Sequence, residues 1–561
     1  MFCGSEEDSK ALSIAQSRLC WVAAVVAAAV ALLAAAPARA AWFPGAVVDG
    51  PSQDIVEVDG LDLSLDGSGG VVYIRKDGGV NHVFVSQFYL GQFGPPQRVD
   101  PGLTGPSSSA RIAASEDGRL AVVFVNGGSL FGVVSSDKTQ PFTMPAQIEG
   151  GTPASPITNA SIDMSVHGAA YVAYTTPGGG GGDVHVARMG DFDQSFKTIT
   201  GTLDLDSGHQ AGTGNGRPSV GVAADGTAIV AWGEAGGVLM RRVGRTAISS
   251  NLIGASDSPL DGHAPGPADS PVVALQDDSS YGEVVLRQNF DNGDGQSVSR
   301  LIGRNLVAGD LGPAEAIDGL DFPAPEGATD PVLGMDMRGR GLASGSRALS
   351  LTPTNALLRD GSFAGAQLMG SLVNGGTDPN TVTAGGQNLT GVVAWMQAPT
   401  PAPDGVVVAG RFEINNSYED EFQLSPGEFG PVPASGGLFA ASSRVGDSIV
   451  AFAQGPPNAR RVVASLYDRF PGRANPRTPR VVHTQQPLLR WLPATDLFGL
   501  PTYRVVVDGK QIGETQNTSL RVPNTLSEGK HTWRVDTIDM NGQKRAGRNR
   551  GLRVKTTPSA A

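Results

Sequence analysis

One pattern, recurring eight times, constrains this chain more than any other feature. Its clearest copy is RPSVGVAADGTAIVAW, Arg217 to Trp232. Val220 and Val222 alternate with small residues at period two, Asp225-Gly226 supplies the turn, and Ile229 to Trp232 form a short apolar run of strand formers. Two antiparallel strands joined by a tight turn are predicted. Leu61 to Ile74, Arg111 to Phe124 and Ser161 to Tyr174 precede it. Weaker copies follow at Pro271 to Leu286, Pro331 to Ser344, Asn380 to Trp395 and Leu438 to Phe452. The last residues of the eight copies are 50, 50, 58, 54, 58, 51 and 57 apart. A period of this size predicts the blades of a β-propeller, because such a unit buries its faces only against its neighbours.

Third strands are legible as well, for example HVFVSQ (His82 to Gln87) and VLMRRV (Val238 to Val243), each after a glycine-rich connection. The eighth repeat lacks the proline-led ending of the others, and that ending stands instead near the N-terminus as WFPGAVVDG, Trp42 to Gly50. The expected fold is therefore all-β: an eight-bladed propeller closed by an N-terminal strand, which removes sheet edges that would otherwise pair with other chains. The alternative is a seven-bladed ring in which repeat six, with no apolar run at Gly341 to Ser350, is degenerate.

Residues 1–40 read as a secretory signal peptide, with Arg18 before an apolar run from Leu19 to Ala36 and an A-x-A site at Ala38 to Ala40. Uncleaved, it is an N-terminal anchor; after cleavage no membrane span is expected. Both cysteines, Cys3 and Cys20, fall inside this segment, which leaves residues 41–561 without thiol or disulfide chemistry.

After the propeller, expected over 41–472, the arginine- and proline-rich stretch 473–480 reads as a linker. A small β-sandwich is expected over 481–556, with a tail at 557–561. Here PLLRW (Pro487 to Trp491), TYRVVVDGK (Thr502 to Lys510) and GKHTWRVDTIDMNG (Gly529 to Gly542) alternate at sandwich spacing. At these residues the stretch resembles immunoglobulin-like and fibronectin type III-like modules of secreted bacterial proteins. The resemblance implies a spacer or adhesion module and brings no catalytic residues. More loosely, the repeats resemble those of secreted bacterial β-propellers.

Charge is divided unevenly. Residues 473–561 hold 15 Lys and Arg against six Asp and Glu, and residues 1–40 hold three of each, so 41–472 carries −21 of a total of −12. An acidic extracellular domain stays soluble, and nucleic acid is excluded as a partner. The basic module, with Lys544, Arg545, Arg548, Arg550 and Arg553 close together, fits an anionic cell-wall polymer.

No nucleophile elbow, zinc-protease helix, P-loop or dinucleotide fingerprint is present. The seven histidines, His82, His167, His185, His209, His263, His483 and His531, lie in different repeats and read as surface or turn residues, not metal ligands. Asp291, Asn292 and Asp294 cluster oxygens beside glycines, yet they miss the alternate spacing of calcium loops. A hairpin turn is the expectation there and Ca2+ the alternative; no other cofactor is expected. Aligned on their turns, Asp62 and Asp163 share one position of the inner strand, facing a central channel. Paired carboxylates are what a glycosidase needs, but repeats one and three are expected to stand well apart, each aspartate bonding to nearby backbone. The sequence thus predicts a secreted or cell-surface binding and scaffold protein that recognises an extracellular protein or glycan through loops, around 277–295 and 415–429. An extracellular carbohydrate-active hydrolase or lyase is the alternative.

Overall fold

The computed structural model describes residues 41–556 except 139, 179–180, 206–207, 351–352, 360, 364–365, 370–376, 387–389, 398–403 and 414–416. The expected signal peptide and tail lie outside the described residues, as does the start of the 415–429 span. The protein is all-β, and the helices among the described residues are four short 3-10 turns. None is long and apolar enough to cross a membrane. The chain divides into two compact units, one of residues 41–469 with 495–501, the other of 470–494 with 502 onward.

In the first unit each repeat forms one antiparallel sheet of four or five strands, numbered here 1 to 8 along the chain. Their inner strands are Ile55–Leu63, Ser107–Ser115, Thr158–Met164, Ser219–Val222, Pro265–Leu275, Ala328–Met335, Thr377–Gly386 and Leu438–Ser442. Each inner strand touches the next, and that of sheet 8 touches that of sheet 1, the arrangement of a β-propeller. The repeat pattern explains the pairing. Val220 lies opposite Val230 and Val222 opposite Ala228, and Gly226 takes the positive φ of +75° that the turn demands. The aromatic residues late in the second strands, Tyr174, Trp232 and Trp395, are fully buried. Trp232 packs between sheets 3 and 4 and its indole N–H donates to Glu234 (2.9 Å).

Sheet 8 takes its fourth strand from the start of the described chain. Ala41–Ser52 pairs antiparallel with Arg460–Asp468, Ala46 opposite Ala464 and Val47 opposite Val463. Asp49 on this strand accepts hydrogen bonds from the Tyr73 hydroxyl (2.7 Å) and the Arg75 guanidinium (2.9 Å), both in sheet 1. Repeat six also forms a sheet, with Gly341–Arg347 paired on both sides. Where its apolar run is missing, Ser344 and Ser346 are buried and Ser344 donates to the Thr354 carbonyl, so a satisfied polar contact replaces aliphatic packing.

The span 277–295 is not one surface loop. Strand Gly282–Asp291 runs through it, so its two ends emerge on opposite faces of the ring.

The second unit packs Asn475–Pro476, Leu488–Leu492 and Ser519–Arg521 against a sheet built on Arg550–Val554, Gly529–Ile538, Thr502–Val507 and Lys510–Thr515. Trp491, Tyr503, Val505, Trp533 and Leu552 form its core. Residues 473–480 are not a free linker: Asn475 and Pro476 pair with Leu492 and Trp491. Of the basic cluster, Arg545 and Arg550 donate to the Pro471 and Pro476 carbonyls, whereas Lys544, Arg548 and Arg553 are exposed. Residues 495–501 belong to the first unit, where Phe498 is fully buried in the core of sheets 8 and 1.

Candidate functional site

An inner strand has a ladder partner on one side only, so N–H groups on its channel edge need acceptors from elsewhere. Side chains of the preceding sheet supply several of them. Ala110 N–H donates to Asp59 (2.8 Å), Ala114 N–H to Asp62 (2.7 Å), Val222 N–H to Asp163 (2.7 Å) and Val273 N–H to the Ser219 hydroxyl (3.1 Å). Asp62 and Asp163 each accept a second bond at 2.8 Å on the other oxygen, from Leu63 and Met164. Each aspartate therefore clamps its own inner strand to the next.

The strand registers put Ala113, Gly221, Ala274, Gly334 and Ala441 at the same position in other sheets. Only sheets 1 and 3 among these carry a carboxylate there. Both line one cavity of about 420 Å³ in the channel, together with Ser165, Ser219, Gln276 and Asp336. Each keeps a partly accessible edge toward the channel and is otherwise enclosed by protein. Burial pushes Asp62 up to about 7; the Ala114 N–H opposes the rise and the charge of Asp163 adds to it. Burial likewise pushes Asp163 up to about 6, against the N–H groups of Val222 and Met164.

A second charged group on the inner strands escaped the sequence reading. Arg111 donates to the Asp59 (3.1 Å) and Ala110 (2.7 Å) carbonyls. Burial raises both Glu57 and Asp59, and Arg111 lowers each in part. The available signal was charge at Asp59 and Arg111 within otherwise small and apolar inner strands.

A second polar cavity, about 620 Å³, lies across sheets 4 and 5 and the connection that precedes sheet 4, and includes His209, Gln210, Glu234, Asp269, Arg287 and Asn289. Its charged groups are bonded within the protein. Arg287 grips Asp269 through two bonds of 2.7 and 2.6 Å, while Glu234 accepts from Trp232 and from the Leu205 N–H (3.2 Å). Its floor includes Gly233, Gly236 and Gly237, residues whose only sequence signal was turn chemistry.

Asp291, Asn292 and Asp294 form the hairpin turn. Asp291 accepts from the Gly293 N–H and Asp294 from the Gln296 N–H, both at 3.0 Å, and Asn292 bonds Ala324 through both ends of its amide. Among the described residues no group of three or more His, Cys, Asp or Glu is placed to hold a metal ion. Two histidines differ from the expected surface role: His82 is buried against Asp100 (2.9 Å), and His531 is buried and contacts Asp508 (2.6 Å).

No protein-family model matches the chain, and no curated protein matches it. Among solved structures it is similar to the Dos1 propeller, at 8% identity and a TM-score of 0.44 over 75% of this chain and 95% of that one. It is also similar to the WD40 domain of SCAP from fission yeast (9%, TM-score 0.42, 76% and 94%). A third similar structure is the polysaccharide lyase Uly1 (9%, TM-score 0.39, 64% and 90%).

Proposed function

We propose that this chain is a secreted or cell-surface-associated binding and scaffold protein. In this reading its eight sheets are the blades of one ring closed by the N-terminal strand, its C-terminal unit is an immunoglobulin-like or fibronectin type III-like spacer, and it recognises an extracellular protein or glycan without catalysis. The observation that carries the reading is the state of the channel carboxylates: all four oxygens of Asp62 and Asp163 accept backbone N–H groups. Groups spent on holding strands together are poorly disposed to trade protons with a substrate. The polar cavity of sheets 4 and 5, with Gln210 and Asn289 at its wall, offers amide donors and acceptors suited to hydroxyl or peptide groups. The exposed Lys544, Arg548 and Arg553 favour attachment to anionic cell-wall polymer.

Pull-down with purified cell envelope and binding to a glycan panel test this reading. Retention that weakens at least tenfold in a Gln210→Ala, Asn289→Ala double variant is expected; equal retention by the variant overturns the assignment of the cavity. One observation favours a hydrolase or lyase, namely that Asp62 and Asp163 share a cavity and are pushed up to different values, about 7 and about 6. Glycan cleavage abolished by Asp62→Asn in a protein that still folds would replace the binding reading with that one.

A further inference from the structure

A cleft of about 600 Å³ opens between sheets 1 and 2, apart from both cavities described above. One wall is the outer edge of sheet 1, where Gln92–Phe93 and Gln97–Arg98 each pair with strand Val80–Tyr89. The other is the connection that follows the third strand of sheet 2, at Lys138 and Gln140. The Gln87 amide donates to the Ser135 hydroxyl (3.1 Å) and joins the two walls. The Phe93 ring is fixed against Phe88, with centroids 4.8 Å apart.

The chemistry of this lining differs from that of the surrounding unit. Among the described residues it carries no carboxylate, although residues 41–472 as a whole carry −21. Lys138 is its one charged side chain. The ammonium stands over the Tyr89 ring, 4.1 Å from the centroid, a contact that holds the cation without neutralising it. Contact with Tyr89 also raises Lys138 above its ordinary value, against the opposing effect of burial, so the group is charged at neutral pH. The charges of Asp66 and Asp117 reach it, but neither side chain lines the cleft, and Asp66 is spent on Ser68 and on the Asp117 N–H. The side-chain amides of Gln92, Gln97 and Gln140 make no hydrogen bond to any described residue. Each therefore offers both donors and an acceptor.

We infer that this cleft binds a short oligosaccharide that carries uronic acid. The sugar carboxylate meets Lys138, hydroxyls exchange hydrogen bonds with the three glutamine amides, and the carbon face of a ring lies against Phe93. A cleft of this volume, part aromatic with a few polar groups, has the size and make-up of a small-molecule site. The acidity of the unit around it repels a long polyanion and so favours a ligand with few acidic sugars.

The test is calorimetric titration of the full chain with di- and trisaccharides of glucuronate, galacturonate, mannuronate and guluronate, with their neutral glucose, galactose and mannose counterparts, and with triglutamate. At least one uronate-bearing member is expected to bind about tenfold or more tighter than its neutral counterpart, with an affinity that falls as salt is added. Lys138→Met should erase that preference, and a Gln92→Ala, Gln97→Ala variant should weaken binding of acidic and neutral members alike by about tenfold. These side chains line an open cleft, so an unchanged Tm is expected in both variants. No uronate binding, equal affinity for the neutral counterparts, tighter binding of triglutamate, or a preference that survives Lys138→Met each overturns the proposal.

Discussion

Asp62 and Asp163 join two effects that pull in opposite directions. Each carboxylate accepts two backbone N–H groups, and each is largely surrounded by protein on the wall of one shared cavity. Replacing either by Ala removes two charge-assisted bonds and is expected to cost about 2–3 kcal/mol, measured by urea unfolding. The pH dependence follows from the raised values. Above about 4 the unfolded chain holds these groups ionised, whereas the folded protein keeps Asp163 protonated to about 6 and Asp62 to about 7. Folded protein binds the extra protons, so this contribution to stability is complete below about 4 and drains away as pH climbs through about 7. Tm recorded from pH 4 to 8 should decline over that interval, and an Asp62→Asn, Asp163→Asn variant should show a flatter profile on a lower baseline. Equal slopes in both proteins would mean that other groups set the dependence.

At the scale of the hairpin, the fold depends on how closely the second strand approaches the inner one. Gly341 opens the second strand of sheet 6, and a Cβ added there would overlap the Gly334 carbonyl. Gly341→Ala is expected to cost about 1–3 kcal/mol, read as a lowered urea midpoint at constant slope. Trp232 reports the opposite face of the same design. It is fully buried, so Trp232→Ala should cost about 3–5 kcal/mol and strip Glu234 of its indole partner. Both positions were legible in the sequence as part of a hairpin, because alternation and turn chemistry are local. The N-terminal strand was legible too, since its proline, alternation and Asp-Gly ending copy the outer strands. That Asp62 and Asp163 line one shared cavity was not legible, because it depends on how tightly the inner strands of different repeats crowd one channel. Nor was Glu283: next to Val284 and Val285 it read as one polar residue in an apolar run. Only the register shows it opposite Asn305, with neither of its oxygens hydrogen-bonded. The cavity of sheets 4 and 5 draws residues from two repeats and the connection before them and leaves no contiguous motif.

For the whole ring, stability rests on one long-range pairing. Ala41–Ser52 meets Arg460–Asp468 across more than 400 residues of sequence, and without it the third strand of sheet 8 becomes an edge. That edge is apolar: Val462, Val463 and Ala464 are fully buried in the intact ring. Tyr467, packed edge-on against Trp42 with ring centroids 5.3 Å apart, would lose its cover. An exposed apolar edge of this length recruits a strand from another molecule. Removal of residues 41–52 is therefore expected to shift the protein to larger assemblies on gel filtration than the full chain forms, and a synthetic peptide of the same residues should reverse the shift. Asp49→Ala is the milder probe. It leaves the ladder intact but breaks the bonds from Tyr73 and Arg75 that fasten the strand to sheet 1, at a cost of about 1–3 kcal/mol. If the truncated chain elutes and melts where the full chain does, the N-terminal strand covers sheet 8 without holding the ring shut.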